Sequence, residues 1–129
     1  MTWTALHGDL AHASPVEAVR QKGRDYMALM TPVVKAFLTD RGFNVCSDAM
    51  QVHGGSGFTE HFPASQYLRD VRIALIYEGT NGVQALDLVG RKLAADGGRG
   101  VMGFFTELDG FIDAETGEAM APFTAGLAK

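Results

Sequence analysis

The stretch that decides the fold of this 129-residue chain is Arg69-Asp70-Val71-Arg72-Ile73-Ala74-Leu75-Ile76-Tyr77-Glu78-Gly79-Thr80-Asn81-Gly82. Its apolar residues at 71 and 73–76 predict a buried helix end. Gly79 can adopt the backbone angles that end a helix, and Thr80 is a suitable N-cap for the next one. The stretch therefore places Glu78 at a corner between two helices.

A carboxylate at such a corner can point into a cavity instead of lying along a packed face. An apolar environment disfavours the charged form of a carboxylate, and a general base benefits from that environment. Glu78 is therefore a candidate general base. The same pattern also fits a surface carboxylate near a helix end, and the residues alone leave both interpretations open.

Composition and length favour one globular domain and exclude several functional classes. Apolar residues make up 47% of the chain and charged residues 20%, as in soluble proteins. The net charge of −4 gives no footprint for nucleic acid, and no apolar run approaches the roughly 20 residues of a membrane span. Met1–Leu10 is unlike a signal peptide. The single cysteine, Cys46, allows no internal disulfide. His7 and His12 lack a third metal ligand. We expect a cytoplasmic protein without metal, nucleic-acid or membrane partners.

Helix signals in the first half of the chain predict two helices. Residues 1–14 have no period and predict an irregular lead-in. Ser14-Pro15-Val16-Glu17 predicts a helix start, and that helix should end near Met30. Thr31-Pro32 repeats the start signal and predicts a second, long helix over about 31–53.

The second half of the chain reads as further helices joined by glycine-rich turns. Gly54-Gly55-Ser56-Gly57 should end the long helix, and helices are expected at about 63–77 and 80–95. A linker at 96–100, a short helix around 104–112 and a weakly patterned remainder follow. We predict an all-α fold that forms part of an antiparallel four-helix bundle, with the helical domain at 15–95 and a linker, short helix and tail at 96–129.

Three separate motifs resemble the C-terminal helical domain of the FAD-dependent acyl-CoA dehydrogenases. They are the run Gln51-Val52-His53-Gly54-Gly55-Ser56-Gly57-Phe58-Thr59-Glu60, the pair Arg69-Asp70 and the run Tyr77-Glu78-Gly79-Thr80. The resemblance covers about residues 31–93, and the tail of the third motif, residues 81–92, resembles a bacterial branch that includes methylthiopropionyl-CoA dehydrogenase-like enzymes. The family also has an N-terminal helical domain and a middle β-domain, so the chain is expected to be a fragment, a truncated product or a shortened relative.

The resemblance implies a reaction and a catalytic residue. In the family the glutamate at the position of Glu78 removes the α-proton of an acyl-CoA thioester, and the β-hydrogen leaves as hydride to FAD, which yields the 2,3-enoyl-CoA. The backbone N–H of the glutamate and an FAD ribityl hydroxyl then hold the thioester carbonyl. Gly79, which has no side chain to obstruct the thioester, is expected to line the substrate site.

The resemblance also implies cofactor contacts. Gln51, Gly54 and Gly55 fall where the family contacts the adenosine-diphosphate part of the FAD of a neighbouring subunit, and Thr80 where it approaches FAD on the other side of the corner. Many relatives carry Gln two residues after that threonine, whereas this chain has Gly82. The Arg69-Asp70 motif is expected to be an ion pair that fixes the corner.

These implications define the expected partners and the alternatives. The complete enzyme should use FAD, bind acyl-CoA, pass electrons to an electron-transfer flavoprotein and form a homo-oligomer, whereas the chain by itself is expected to lose FAD and to self-associate. One alternative is a catalytically silent helical assembly module left after truncation. Another is a fragment of an acyl-CoA oxidase, which shares the bundle architecture.

Overall fold

The protein is built from helices joined by short turns. The computed structural model describes residues 2–127, so that Met1 of the predicted lead-in and residues 128–129 of the predicted tail lie outside the described part. No strand occurs within residues 2–127, and the predicted all-α class is confirmed. The α-helices are α1 (Thr2–Ala13), α2 (Glu17–Val52), α3 (Gly55–Phe58), α4 (Ala64–Ala74), α5 (Asn81–Asp87), α6 (Arg99–Ala114) and α7 (Ala121–Leu127), with a π-helical segment at Leu88–Lys92 and a 3₁₀ turn at Ala95–Gly98.

The prediction of an irregular lead-in is wrong, because residues 2–13 form helix α1. Tertiary contacts explain the helix where local sequence signals are weak. The Trp3 ring stacks on Tyr26 with centroids 5.0 Å apart, and its indole N–H donates to a Glu107 carboxylate oxygen at 3.2 Å. Gly23 permits the close approach of α1, since a Cβ there would lie 2.6 Å from the carbonyl oxygen of His7.

The prediction of two helices over residues 15–53 is also wrong, because α2 runs without interruption from Glu17 to Val52 with Pro32 inside it. An interior proline removes one backbone hydrogen bond and costs about 3 kcal/mol. Leu29, one turn before the proline, is 5% exposed, and Pro32 itself is buried. Burial of these apolar groups opposes the cost of the missing donor and allows the helix to continue.

The chain divides into two compact units, one formed by Leu29–Lys92 and the other by residues 2–28 together with 93–127. In the second unit, Trp3, His7, Tyr26 and Phe104 form a cluster of rings with centroids 4.1–6.4 Å apart. The division of the chain into domains at residues 14 and 95 stays a prediction.

The first unit holds α3, α4 and α5 beside most of α2. Gly42 on α2 allows close packing with α4, since a Cβ there would meet the Val71 side chain at 3.4 Å. The predicted burial of the whole apolar run before the corner is wrong, because Ile73 is 56% exposed and Ile76 48%. Ile73 lies on the side of α4 that is left open, and Ile76 lies in the turn that follows the helix.

The last third of the chain is more helical than its sequence pattern indicates. The expected short helix is α6, with sixteen residues, and the weakly patterned remainder contains α7. The break before α6 lies within the predicted linker. Asp96, Gly97 and Gly98 all have positive φ there (50°, 69° and 81°), which stops the preceding helical segment.

Candidate active site

The corner between α4 and α5 is formed by two consecutive left-handed residues. After α4 ends at Ala74, a tight turn continues, in which the Tyr77 N–H donates to the Ile73 carbonyl at 3.0 Å. Glu78 follows with φ 52° and Gly79 with φ 89°. A left-handed conformation costs a residue with a Cβ roughly 1–2 kcal/mol, so that surrounding contacts must maintain Glu78 in this state.

Gly79 is required by both its conformation and its surroundings. Its φ of 89° favours glycine. A Cβ built on it would lie 3.0 Å from the Gln84 amide nitrogen and 3.4 Å from a Val83 methyl carbon. Both neighbours belong to α5, so the corner closes tightly against the helix that follows it.

Thr80 is the N-cap of α5, as predicted. Its hydroxyl accepts a hydrogen bond from the Val83 N–H at 3.4 Å, which satisfies one of the free donors of the first helical turn. The carbonyl of Thr80 accepts the first hydrogen bond of α5, from the Gln84 N–H at 3.0 Å. The helix begins immediately after the corner for this reason.

Side chains from α2 and α5 hold the backbone of the corner, and sequence reasoning did not find them. The Lys35 ammonium donates to the Gly79 carbonyl at 2.7 Å and to the Asn81 side-chain oxygen at 3.0 Å. The Asn81 amide donates to the Asp40 carboxylate at 2.9 Å, and the Gln84 amide donates to the Glu78 carbonyl at 3.0 Å. Lys35 is 44 positions from Gly79 and Asp40 is 41 positions from Asn81, so no local pattern identifies them.

Glu78 itself lies at the surface of its unit. The expected apolar surround is not formed, because Ile76 and Tyr77 beside it are about half exposed (48% and 53%). The predicted corner exists, whereas its predicted shielding from water does not. The backbone at Glu78 is therefore held in one conformation, whereas its carboxylate is accessible to any molecule that covers the corner.

The predicted cofactor residues Gln51, Gly54 and Gly55 lie together at the end of α2. Gly54 has φ 59°, and its N–H donates to the Gln51 carbonyl at 3.0 Å. No atom lies within 4 Å of a Cβ built on Gly54 or Gly55. Gly57, by contrast, is packed against Met50 and His53 so closely that a Cβ would overlap both. The turn is therefore closed on its inner side and unobstructed on its outer side.

The predicted Arg69-Asp70 ion pair is not formed. Arg69 instead approaches Glu60, at 3.9 Å between a guanidinium nitrogen and a carboxylate oxygen, and both side chains are exposed. Neighbouring residues of a helix point in different directions, whereas Glu60 lies in the loop before α4, within reach of Arg69. Exposed pairs of this kind contribute at most about 1 kcal/mol.

The site residues form two groups, which the structure does not bring into one site within this unit. Glu78, Gly79 and Thr80 are contiguous after α4, whereas Gln51, Gly54 and Gly55 precede it. Eleven residues of α4 span about 16 Å. The two groups of predicted site residues therefore lie apart within this unit.

Residues 2–127 contain neither a metal-binding cluster nor a helix suited to spanning a membrane. No three histidine, cysteine or acidic side chains in that range are close enough together to hold a metal ion. None of the helices in that range has the length and hydropathy to cross a membrane.

Comparison with known proteins identifies the family. The sequence profile of the acyl-CoA dehydrogenase C-terminal domain matches residues 10–93. The chain is 47% identical over 91 residues to a 3-methylmercaptopropionyl-CoA dehydrogenase of Ruegeria pomeroyi, which covers 70% of this chain and 15% of that protein. It is 33% identical over 116 residues to a butyryl-CoA dehydrogenase of Syntrophomonas wolfei, and 34% identical over 116 residues to a broad-specificity linear acyl-CoA dehydrogenase of Mycobacterium tuberculosis. Each of these two matches covers 89% of this chain and 19% of the relative.

The chain belongs to the acyl-CoA dehydrogenase family, and its residues 10–93 match the C-terminal domain of that family. The more specific resemblance to the methylthiopropionyl-CoA branch is confirmed by the Ruegeria match. The chain spans less than a fifth of the length of the relatives described above.

Proposed function

We propose that this chain is the C-terminal portion of an FAD-dependent acyl-CoA dehydrogenase that oxidises an acyl-CoA to the 2,3-enoyl-CoA. The observation that supports the proposal is the corner itself: a glutamate with left-handed φ, followed by a glycine that accommodates no side chain and a threonine that caps α5. This arrangement presents one carboxylate at an open surface, on a backbone that Lys35 and Gln84 hold in place. The family to which the chain belongs acts on acyl-CoA substrates.

In this proposal Glu78 is the general base. Its carboxylate removes the α-proton of the thioester, while its backbone N–H donates to the thioester carbonyl and stabilises the developing negative charge. Gly79 is assigned to the substrate site because the family resemblance implies it, and not because of free space, since Gln84 and Val83 of α5 occupy the region where a Gly79 side chain would lie. Because Glu78 is exposed in this unit, the substrate and the rest of the enzyme must exclude water from it, and that exclusion makes the carboxylate a stronger base.

The residues present fit an edge of an FAD site. Gly54 and Gly55 leave the outer side of their turn unobstructed, so that backbone can approach a phosphate closely. Gln51 is exposed beside them and Thr80 is exposed at the corner, and we assign all four residues to FAD binding. FAD, when bound, supplies the acceptor for the hydride. In the complete enzyme we expect a neighbouring subunit, an electron-transfer flavoprotein as electron acceptor, and a cytoplasmic location.

The test is Glu78→Gln in the complete flavoenzyme that contains this stretch. The substitution keeps the size of the side chain and removes the base. We expect FAD content and acyl-CoA affinity to remain, and flavin reduction by substrate in a rapid-mixing experiment to fall about 10²–10⁴-fold. Glu60→Gln is the matched control and should reduce flavin at the original rate. An unchanged rate in Glu78→Gln would refute the assignment, and a loss in Glu60→Gln would identify Glu60 as the base.

A second candidate is a helical assembly module without catalytic activity. It is favoured by the open state of the corner. The two candidates differ in flavin content. If the chain belongs to a dehydrogenase, the native complex isolated from its source should contain near-stoichiometric FAD. If it is a silent module, the native complex should contain none. An oxidase would contain FAD as well and would differ by producing hydrogen peroxide in air.

A further inference from the structure

We propose that Lys35 is a positioning residue for Glu78, acting through the backbone of the corner. The inference rests on the proposed role of Glu78 as the base. Lys35 lies on α2, and its ammonium donates to the Gly79 carbonyl at 2.7 Å. It thereby contacts the peptide group that follows Gly79 and holds it against α2.

Two consecutive peptide groups after Glu78 are each held by one side chain. The Gln84 amide donates to the Glu78 carbonyl at 3.0 Å and fixes the first group. Lys35 fixes the second through the Gly79 carbonyl. Since peptide groups are planar, fixing both planes restricts φ and ψ of Gly79, which lie between them. The first plane contains the Glu78 carbonyl, so holding it limits rotation about the Cα–C bond of Glu78 and with it the direction of the Glu78 side chain. Lys35 contributes by fixing the second plane, to which the first is connected through Gly79.

Lys35 is itself held in place by the residues around the corner. Its ammonium also donates to the Asn81 side-chain oxygen at 3.0 Å, and that oxygen accepts from the Thr39 hydroxyl at 3.2 Å. The Asn81 amide donates to the Asp40 carboxylate at 2.9 Å. The ammonium therefore belongs to a connected set of hydrogen bonds between α2 and the start of α5, and in such a network each bond supports the others.

The strained conformation of Glu78 explains why positioning is needed. A non-glycine residue with φ 52° tends to relax to the right-handed or extended region unless its neighbours prevent this. Relaxation would rotate the carboxylate away from the α-carbon of a bound thioester. Misplacement of a catalytic group by about 1 Å can cost on the order of 10²-fold in rate.

The experiment compares Lys35→Met, Lys35→Arg and a control, Lys92→Met, in the complete flavoenzyme. Lys35→Met should lower the rate constant of flavin reduction at saturating acyl-CoA by about 10²-fold, with FAD content and acyl-CoA dissociation constant within about twofold of the original. Lys35→Arg keeps a cation with N–H donors and should recover most of the rate. Lys92→Met removes a lysine of the same unit that has no contact with the corner carbonyls and should leave the rate unchanged.

A double substitution separates positioning from a general structural role. If Lys35 acts through Glu78, adding Lys35→Met to Glu78→Gln should cause no further loss of flavin reduction, because the base is already absent. Should Lys35→Met fail to fold, Gln84→Leu tests the other peptide contact and should lower the same rate constant. A full rate in Lys35→Met, or equal further losses in the double variant, would overturn the inference. If Glu78→Gln alone has no effect, the proposed function fails and not only the role of Lys35.

Discussion

At the scale of single residues, Glu107 is the most connected acidic side chain in the unit formed by residues 2–28 and 93–127. Its carboxylate accepts hydrogen bonds from the Trp3 indole at 3.2 Å and the Tyr26 hydroxyl at 3.1 Å, and pairs with Lys22 at 2.7 Å. The Lys22 ammonium holds the pKa of Glu107 below its ordinary value of 4.5. Burial, followed by the hydrogen bond to Glu107, raises the pKa of Tyr26 to about 12.

The depressed pKa predicts the sign of the acid response. Glu107 contributes stability at pH values above 4.5, its ordinary pKa, and this contribution is lost as pH falls through the lower pKa of the folded state. Trp3 is the only tryptophan, so its fluorescence should report the change below pH 4.5. Glu107→Gln still accepts the indole hydrogen bond and should show a smaller response. Glu118→Gln is the control and should behave like the original chain. An acid response of full size in Glu107→Gln would contradict this prediction.

At the scale of elements, the start of α5 depends on the cap supplied by Thr80. Thr80→Ala removes the hydroxyl that accepts from the Val83 N–H and should destabilise the first turn by about 1 kcal/mol. Hydrogen exchange of the Val83 amide should then be about fivefold faster, since 1.4 kcal/mol corresponds to a factor of ten. Thr80→Ser, which keeps the hydroxyl, should exchange at nearly the original rate. Equal rates in the alanine and threonine forms would show that the cap contributes nothing.

The elements also show which features a sequence can predict. Gly79 and Thr80 act locally, by backbone conformation and by capping, and both predictions agree with the structure. The continuous path of α2 through Pro32 and the helix at residues 2–13 were missed, because burial and distant contacts decide them. The contact of Lys35 with the corner was missed for the same reason, since 44 residues separate it from Gly79.

The sequence pattern also predicted more shielding of the corner from water than the structure shows. An apolar run such as residues 71–76 indicates which residues are suited to burial, but it does not identify the surface against which they pack. The exposure of Ile73 and Ile76 follows because the residues that would cover them are not supplied by this unit. The family resemblance identified Glu78, Gln51, Gly54, Gly55 and Thr80 as site residues, and their roles stay predictions.

At the scale of the whole molecule, the chain buries few apolar residues for its length. Within residues 2–127 the buried apolar side chains are those of Tyr26, Leu29, Pro32 and Ala64. Large apolar residues on α4 and α5 remain exposed, including Ile73 at 56% and Leu86 at 74%. Exposed apolar patches above several hundred Å² normally mark an interaction surface, so these faces require a partner.

We predict that the isolated chain self-associates through these faces. Two copies related by a two-fold axis can cover the same patch on each other. Sedimentation equilibrium at micromolar concentration should give at least a dimer. Ile73→Gln should weaken association by tenfold or more, because fully burying such a side chain is worth about 1.5–3 kcal/mol and a two-fold interface contains it twice. Arg72→Gln, on the same helix, should leave association unchanged. A monomer at that concentration would refute the prediction.

The contact between Trp3 and Glu107 has a consequence for how the protein is made. The two residues are 104 positions apart, and a ribosome adds about 5–20 residues per second. Trp3 is therefore synthesised about 5–20 s before the carboxylate that it binds. During that interval α1 can pack on α2, where Trp3 stacks on Tyr26, but it lacks α6 as a packing partner. The indole N–H of Trp3 should thus obtain its hydrogen bond to Glu107 only after α6 has been made.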